Sequence, residues 1–143
     1  MTTDSTYLKT GSPGVMGRIG STLNQYVVNF ATTNGVMSTI YPIFQCPEDY
    51  VVFSAGYEIL IAGTTSGTLD LDKAGGTELL SAIAIDAAVG TKAQGAMAAP
   101  VFFSDSDTID FQINTSTPIL GKIRLWWVGC DVTELHVIND FVA

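Results

Sequence analysis

Histidine and cysteine are nearly absent: the 143 residues hold one histidine, His136, and two cysteines, Cys46 and Cys130. A zinc site takes about four Cys, His, Asp or Glu ligands at suitable spacing. No such set is visible, so no metal or other cofactor is expected. A nucleophilic triad needs a base beside its nucleophile. His136 sits in the C-terminal tail, no G-x-S-x-G elbow occurs, and His136 reads as a surface or partner-contact residue. Two cysteines do not make a disulfide scaffold. They read as buried thiols in a reducing compartment, since free Cys behaves as a small core residue, with a Cys46–Cys130 bridge as the alternative.

Charge is also scarce. Charged residues make up 14% of the chain and the net charge is −8, against about 25% charged in ordinary domains. The six basic residues, Lys9, Arg18, Lys73, Lys92, Lys122 and Arg124, are scattered along the chain. Nucleic-acid binding runs on Lys and Arg neutralising phosphates, so neither nucleic acid nor an anionic membrane is expected as a partner. No apolar run approaches the roughly 20 residues of a membrane-spanning helix. The first twenty residues have no apolar segment of the kind a secretory signal carries. The expectation is a soluble protein made and folded in a cytoplasm.

What remains is apolar: 47% of residues are hydrophobic, and the length suits one domain with a sizeable core. Three parts are expected: an N-terminal arm over 1–20, a β domain over 21–133 and a C-terminal tail over 134–143. The arm is rich in Thr, Ser and Gly. It reads either as a frayed terminus or as a segment that orders against a neighbouring subunit through Tyr7, Leu8, Val15, Met16 and Ile19. The tail still carries Leu135, Val137, Ile138, Phe141 and Val142. It is expected to pack back on the domain or on a neighbour.

Between them the signal is period 2, the mark of half-buried strands. Tyr26, Val28 and Phe30 alternate with Gln25, Val27 and Asn29. Asn34-Gly35 is a tight-turn dipeptide, and Val36 to Phe44 reads as the second arm of a hairpin whose end Pro42 and Pro47 place at an edge or loop. Val51, Phe53, Ala55, Tyr57, Ile59 and Ile61 share one parity, with Gly56 suggesting a bulge or bend. Leu69 and Leu71 share a face. Thr77 reads as the cap of a short helix beginning at Glu78, before Ile83 and Ile85 resume alternation. Val89 to Ala99 reads as a loop. Val101–Phe103, the Ile109, Phe111, Ile113 set and the Ile123, Leu125, Trp127 set complete seven to nine short strands. The last strand is apolar on both faces and reads as central or covered. The fold class is therefore all-β: an antiparallel β-sandwich or jelly roll with one short helix.

Carboxylates offer little chemistry. Asp105 and Asp107 lie in a Ser-Asp-Ser-Asp turn, where Asp bonds its own backbone. The stretch from Asp70 fails the EF-hand pattern at Ala74 and at Ser81, which leaves only a looser calcium site at Asp70 and Asp72. No phosphate-binding G-x-x-x-x-G-K-[ST] occurs. The unusual dipeptide is Trp126-Trp127. On a strand its rings point to opposite faces: one can fill the core, and the other needs a sheet, a subunit or a ligand to cover it. Both rings in the core is the competing reading.

One further pattern spans Tyr41 to Val132. Ala55-Gly56-Tyr57 is followed by a Thr64–Gly67 turn, Thr68-Leu69-Asp70-Leu71, a segment Leu79–Asp86, then Asp107–Ile113 and a closing Gly121–Val128 strand. This layout resembles tailed-phage capsid decoration (cement) proteins and related head or fibre components. The resemblance implies a jelly-roll-like domain and a non-enzymatic virion part that binds the outer shell at subunit junctions. The implied partners are the major capsid protein and copies of itself, a trimer ahead of a dimer, and the implied location is the capsid exterior after synthesis in the host cytoplasm. It carries no catalytic residues. The arm and tail lie outside this resemblance; read from the residues themselves, the candidate interface residues are Tyr7, Leu8, Val15, Met16, Ile19, Trp126, Trp127, His136 and Phe141. A carbohydrate- or receptor-binding sandwich, as in a head fibre or adhesin, is the alternative, with Asp105 and Asp107 as polar partners of an exposed Trp.

Overall fold

A computed structural model describes residues 22–32, 36–74, 76–118 and 120–132. Nine strands are present: β1 (Thr22–Asn29), β2 (Ile40–Gln45), β3 (Tyr50–Ile61), β4 (Thr68–Lys73), β5 (Thr77–Ala84), β6 (Lys92–Gln94), β7 (Val101–Phe103), β8 (Thr108–Asn114) and β9 (Lys122–Asp131). They form two antiparallel sheets. One runs β1-β9-β3-β6, with β7 also on β3, and the other runs β2-β8-β4-β5. The pairing is nested: β1 with β9, β2 with β8, β3 with β6 and β7, and β4 with β5. That is a ribbon folded in half and wound across two sheets, the jelly-roll form of a sandwich.

The alternation explains the core. Leu69, Leu71, Ile109, Phe111, Ile113, Ile123, Leu125 and Trp127 all pack into one cluster between the sheets. Fully burying each such side chain contributes about 1.5–3 kcal/mol. Phe44 of β2 meets Trp127 of β9 edge-on at 5.4 Å, and Tyr41 stacks on Phe111 at 4.8 Å. β9 lies between β1 and β3, the central place expected for it. Pro42 sits at a register shift in β2, an edge strand of its sheet, where a missing N–H is tolerated.

Four expectations are corrected. The short helix from Thr77 is strand β5, because Leu79, Leu80 and Ile83 face the core and Glu78 opposes Asp72 across the ladder. Among the described residues there is no helix. The hairpin of β1 with β2 does not form, since the two strands lie in different sheets; Asn34-Gly35 lies outside the described residues. The ladder of β3 on β9 shifts at Ile59/Ile61 and, earlier, at a bulge at Val52/Ser54, not at Gly56. That bulge inverts the parity, so Tyr50 and Val52 face the core before it and Ala55 and Ile59 after it, leaving Phe53 46% exposed. The loop over Val89–Ala99 contains the three-residue strand β6.

Cys46 and Cys130 are both buried and unbridged. Burial, followed by the nearby Asp107 and Asp110 carboxylates, pushes the Cys46 thiol up to about 12. The Asp107 reading as a turn former holds: its Oδ2 accepts from the Ser104 N–H at 2.7 Å.

Candidate functional site: two outer sheet faces

The register of β9 separates the two tryptophans. Trp127 is buried between the sheets, while Trp126 is half-buried on the outer face of the five-stranded sheet. Gly56 is the register partner of Trp126. A Cβ at Gly56 would collide with the Trp126 indole ring, so the glycine gives the ring room to lie against the sheet. What the sequence suggests as a bend is a seat for an aromatic ring.

Around Trp126 the neighbours follow from the same ladders. Gln25 opposes it from β1, and Gln94 opposes Gly56 from β6. One row further, Val27, Arg124, Glu58 and Lys92 stand in line. Arg124 Nη1 donates to Glu58 Oε1 at 2.6 Å, and Lys92 Nζ lies 4.0 Å from Glu58 Oε2. The Arg124 Nε is buried without a partner. Leu23 opposes Val128 at the other side of Trp126 and is 70% exposed. A shallow cavity of about 330 Å³ runs between Tyr57, Lys92, Gln94, Arg124 and Trp126. The result is an apolar surface centred on Trp126 with Arg124 at its edge, and Trp and Arg are residue types enriched at protein interfaces.

The outer face of the four-stranded sheet is its electrostatic opposite. Leu69, Leu71, Ile109, Phe111 and Ile113 point inward, so Asp70, Asp72, Asp110 and Gln112 point outward. Asp72 opposes Asp110 on one side and Glu78 on the other. Burial and then the carboxylates of Asp70, Glu78 and Asp110 push Asp72 up to about 6. Its Oδ1 is buried without a hydrogen-bond partner. Asp110 is 7% exposed and accepts from Thr108 Oγ1 at 2.6 Å. Asp70 is committed internally: Oδ1 accepts the Ala82 N–H at 2.7 Å, and Oδ2 accepts from Asn114 Nδ2 at 2.6 Å. Those bonds leave it poorly suited to the looser calcium site considered above. Among the described residues no three His, Cys, Asp or Glu are placed to hold a metal ion.

Of the expected interface residues, the structure places Trp126 on the outer face of the five-stranded sheet and Trp127 in the core. Tyr7, Leu8, Val15, Met16, Ile19, His136 and Phe141 lie outside the described residues. The expected pairing of an exposed Trp with Asp105 and Asp107 does not arise on these ladders. Those two aspartates belong to the β7–β8 turn, where Asp107 meets Lys73 at 3.5 Å, and the neighbours of Trp126 are Gln25, Gly56 and Gln94. Sequence reasoning missed Lys92, Lys122, Arg124, Leu23 and Val27. They are dispersed along the chain and gather only once β1, β9, β3 and β6 are aligned. Among the described residues no helix is long and apolar enough to cross a membrane.

No family model matches this chain, and no curated protein matches it. Among solved structures, it is similar in fold to a chain from the acidic stable capsid structure of Helicobacter pylori bacteriophage KHP30. The TM-score is 0.55 and the identity 15%, over 77% of this chain and 86% of that one.

Proposed function

We propose that this chain is a non-enzymatic structural part of a tailed-phage virion, and within that class a decoration or cement protein. It would bind the major capsid protein on the shell exterior, at junctions between subunits. The observation that carries the reading is the shared fold with a chain of a phage capsid structure over most of both lengths. The surface chemistry is compatible with it. A cement protein needs contact area rather than reactive groups, and exposed Leu23 and Val27 around the half-buried Trp126, with Arg124 beside it, make a surface of that kind. The low charge and apolar tail of the sequence fit the same role.

The direct test is co-sedimentation of the purified chain with expanded capsids of its phage that lack it. Saturable, stoichiometric binding, with capsids that then survive higher temperature, is the expected result. Capsids that neither retain the protein nor gain heat resistance would refute the proposal.

One observation favours a second reading. The Trp126 ring borders a cavity with Gln94, Glu58, Lys92 and Arg124 around it, and an aromatic ring edged by hydrogen-bonding side chains also suits a sugar. Glycan-array binding lost in Trp126→Ala, with no capsid affinity, would select a carbohydrate-binding fibre component instead.

A further inference from the structure

The described residues contain four basic side chains: Lys73, Lys92, Lys122 and Arg124. Lys73 turns to the Phe102 carbonyl at 2.8 Å and to Asp107. The other three stand together on the outer face of the five-stranded sheet, with Glu58 as the acid among them. The outer face of the four-stranded sheet carries Asp70, Asp72 and Glu78, with Asp110 buried beside Asp72, and no basic residue opposes any of them in its ladders. Among the described residues, three of the four cations thus stand on one side, and carboxylates crowd on the other.

These faces look in opposite directions, separated by both sheets and the core, so they do not neutralise each other within one molecule. Crowding on the acidic side is unrelieved there, because Lys73, the cation next in sequence to Asp72, is directed elsewhere. Each face also carries exposed apolar surface: Leu23 and Val27 on the basic side, and Ile40, 59% exposed, on the acidic side.

We infer that a second copy of this chain docks head to tail, setting the basic Trp126 face of one copy on the acidic Asp72–Glu78 face of the next. The occupant of each face is therefore the opposite face of another copy. Like faces meeting across a two-fold axis would place cations on cations or carboxylates on carboxylates, which the charge distribution opposes. A contact between unlike faces is heterologous, and it closes into a ring or continues as a chain. Four strands by about six residues cover roughly 20 by 20 Å on each side. That is the size of a weak, transient contact, below a standard specific interface, so assembly depends on concentration and on salt. The inference deepens the virion reading by naming one partner of the site, but its test does not use a capsid.

Sedimentation velocity of the full chain over a concentration series tests it. Screening shortens from about 10 Å at 0.1 M salt to about 3 Å at 1 M, so association should weaken by roughly tenfold or more across that range. Lys122→Glu and Glu78→Lys, both on solvent-facing ladder positions, should each shift the protein toward monomer. An equimolar mixture of the two variants should reassociate into pairs, because the intact basic face of the Glu78→Lys copy meets the intact acidic face of the Lys122→Glu copy. Near-UV circular dichroism checks that each variant folds, and the salt series stands without them. A chain that stays monomeric at low salt overturns the inference, including one whose Trp126 is shielded from quenchers by the chain's own ends. So does an assembly indifferent to salt and to both variants. Retained capsid binding by a strictly monomeric chain would overturn the head-to-tail contact while leaving the virion role intact.

Discussion

Trp126 and Trp127 are chemically identical neighbours whose energetic roles are set by the parity of β9. Trp127 is enclosed by residues of both sheets, including Phe44 and Leu125. Trp127→Ala should cost about 3–5 kcal/mol, by lost burial and the cavity left behind. Trp126 keeps one side toward solvent, so Trp126→Ala should cost about 1 kcal/mol or less while removing the centre of the proposed docking surface. Urea unfolding of both variants checks the contrast, and equal losses would contradict the assigned parity. Gly56 belongs to the same argument. Gly56→Ala drives a methyl into the indole ring and against the Ala93 carbonyl, 2.8 Å away. A destabilisation of about 1–3 kcal/mol is expected, partly relieved when Trp126 is also replaced by Ala. The sequence marks the Trp pair as unusual but not which ring is buried. That depends on Gly129 and Cys130 continuing β9 beside β3, a pairing between residues more than seventy positions apart.

At the scale of elements, the acidic face makes β4, β5 and β8 respond to pH. Asp72 has a folded value of about 6, above its ordinary 3.8, because burial and three carboxylates disfavour its charged form. The folded state therefore binds a proton more readily than the unfolded chain. Stability should rise as pH falls from above 6 toward 4, and be lost as pH rises through 6. With partial solvent screening the effect should not exceed about 2 kcal/mol. Asp72→Asn should raise the neutral-pH melting temperature and flatten the profile between pH 7.5 and 4.5, measured by thermal unfolding at several pH values. A variant that keeps the full slope would assign it to another group. Below that window Asp107 acts oppositely: the Ser104 N–H holds its carboxylate low, so its contribution fades as pH falls through that lowered value. The strands behind these effects were unequally legible. β4, β8 and β9 announce themselves by clean alternation. β5 does not, because Leu79-Leu80 are adjacent and Ala82 adopts a positive φ of 55°, which breaks period 2 and imitates a helical spacing. The Asp70 carboxylate that caps the Ala82 N–H sits twelve residues earlier, where no local pattern reveals it.

For the whole molecule, the consequence of nested pairing is kinetic. β1 finds its in-sheet partner only in β9, and β2 only in β8, so the first strands wait for the last. β3 also takes β9 as its long partner, with a ladder from Tyr50–Asp131 to Ile61–Lys122. The expected local hairpin between β1 and β2 would have closed early, and its absence leaves β4 with β5 as the nearest pairing along the chain. The same non-locality hides the charge segregation, since Lys92 reaches Arg124 only through the ladders of β3. Domains dominated by such distant pairings fold in milliseconds to seconds, rather than the microseconds of locally connected folds, because loop closure precedes the contacts that reward it. Trp127 is the natural reporter, because its ring on β9 packs on Phe44 of β2, across the two sheets. In a Trp126→Phe background, stopped-flow refolding should show Trp127 fluorescence maturing in one slow phase, on the order of milliseconds or longer. Backbone circular dichroism should follow the same phase, since little sheet can persist before β9 is in place. A microsecond phase carrying most of the Trp127 signal would mean that the two sheets dock before the outer strands pair. The ribbon would then be wound by a route other than the one its connectivity dictates.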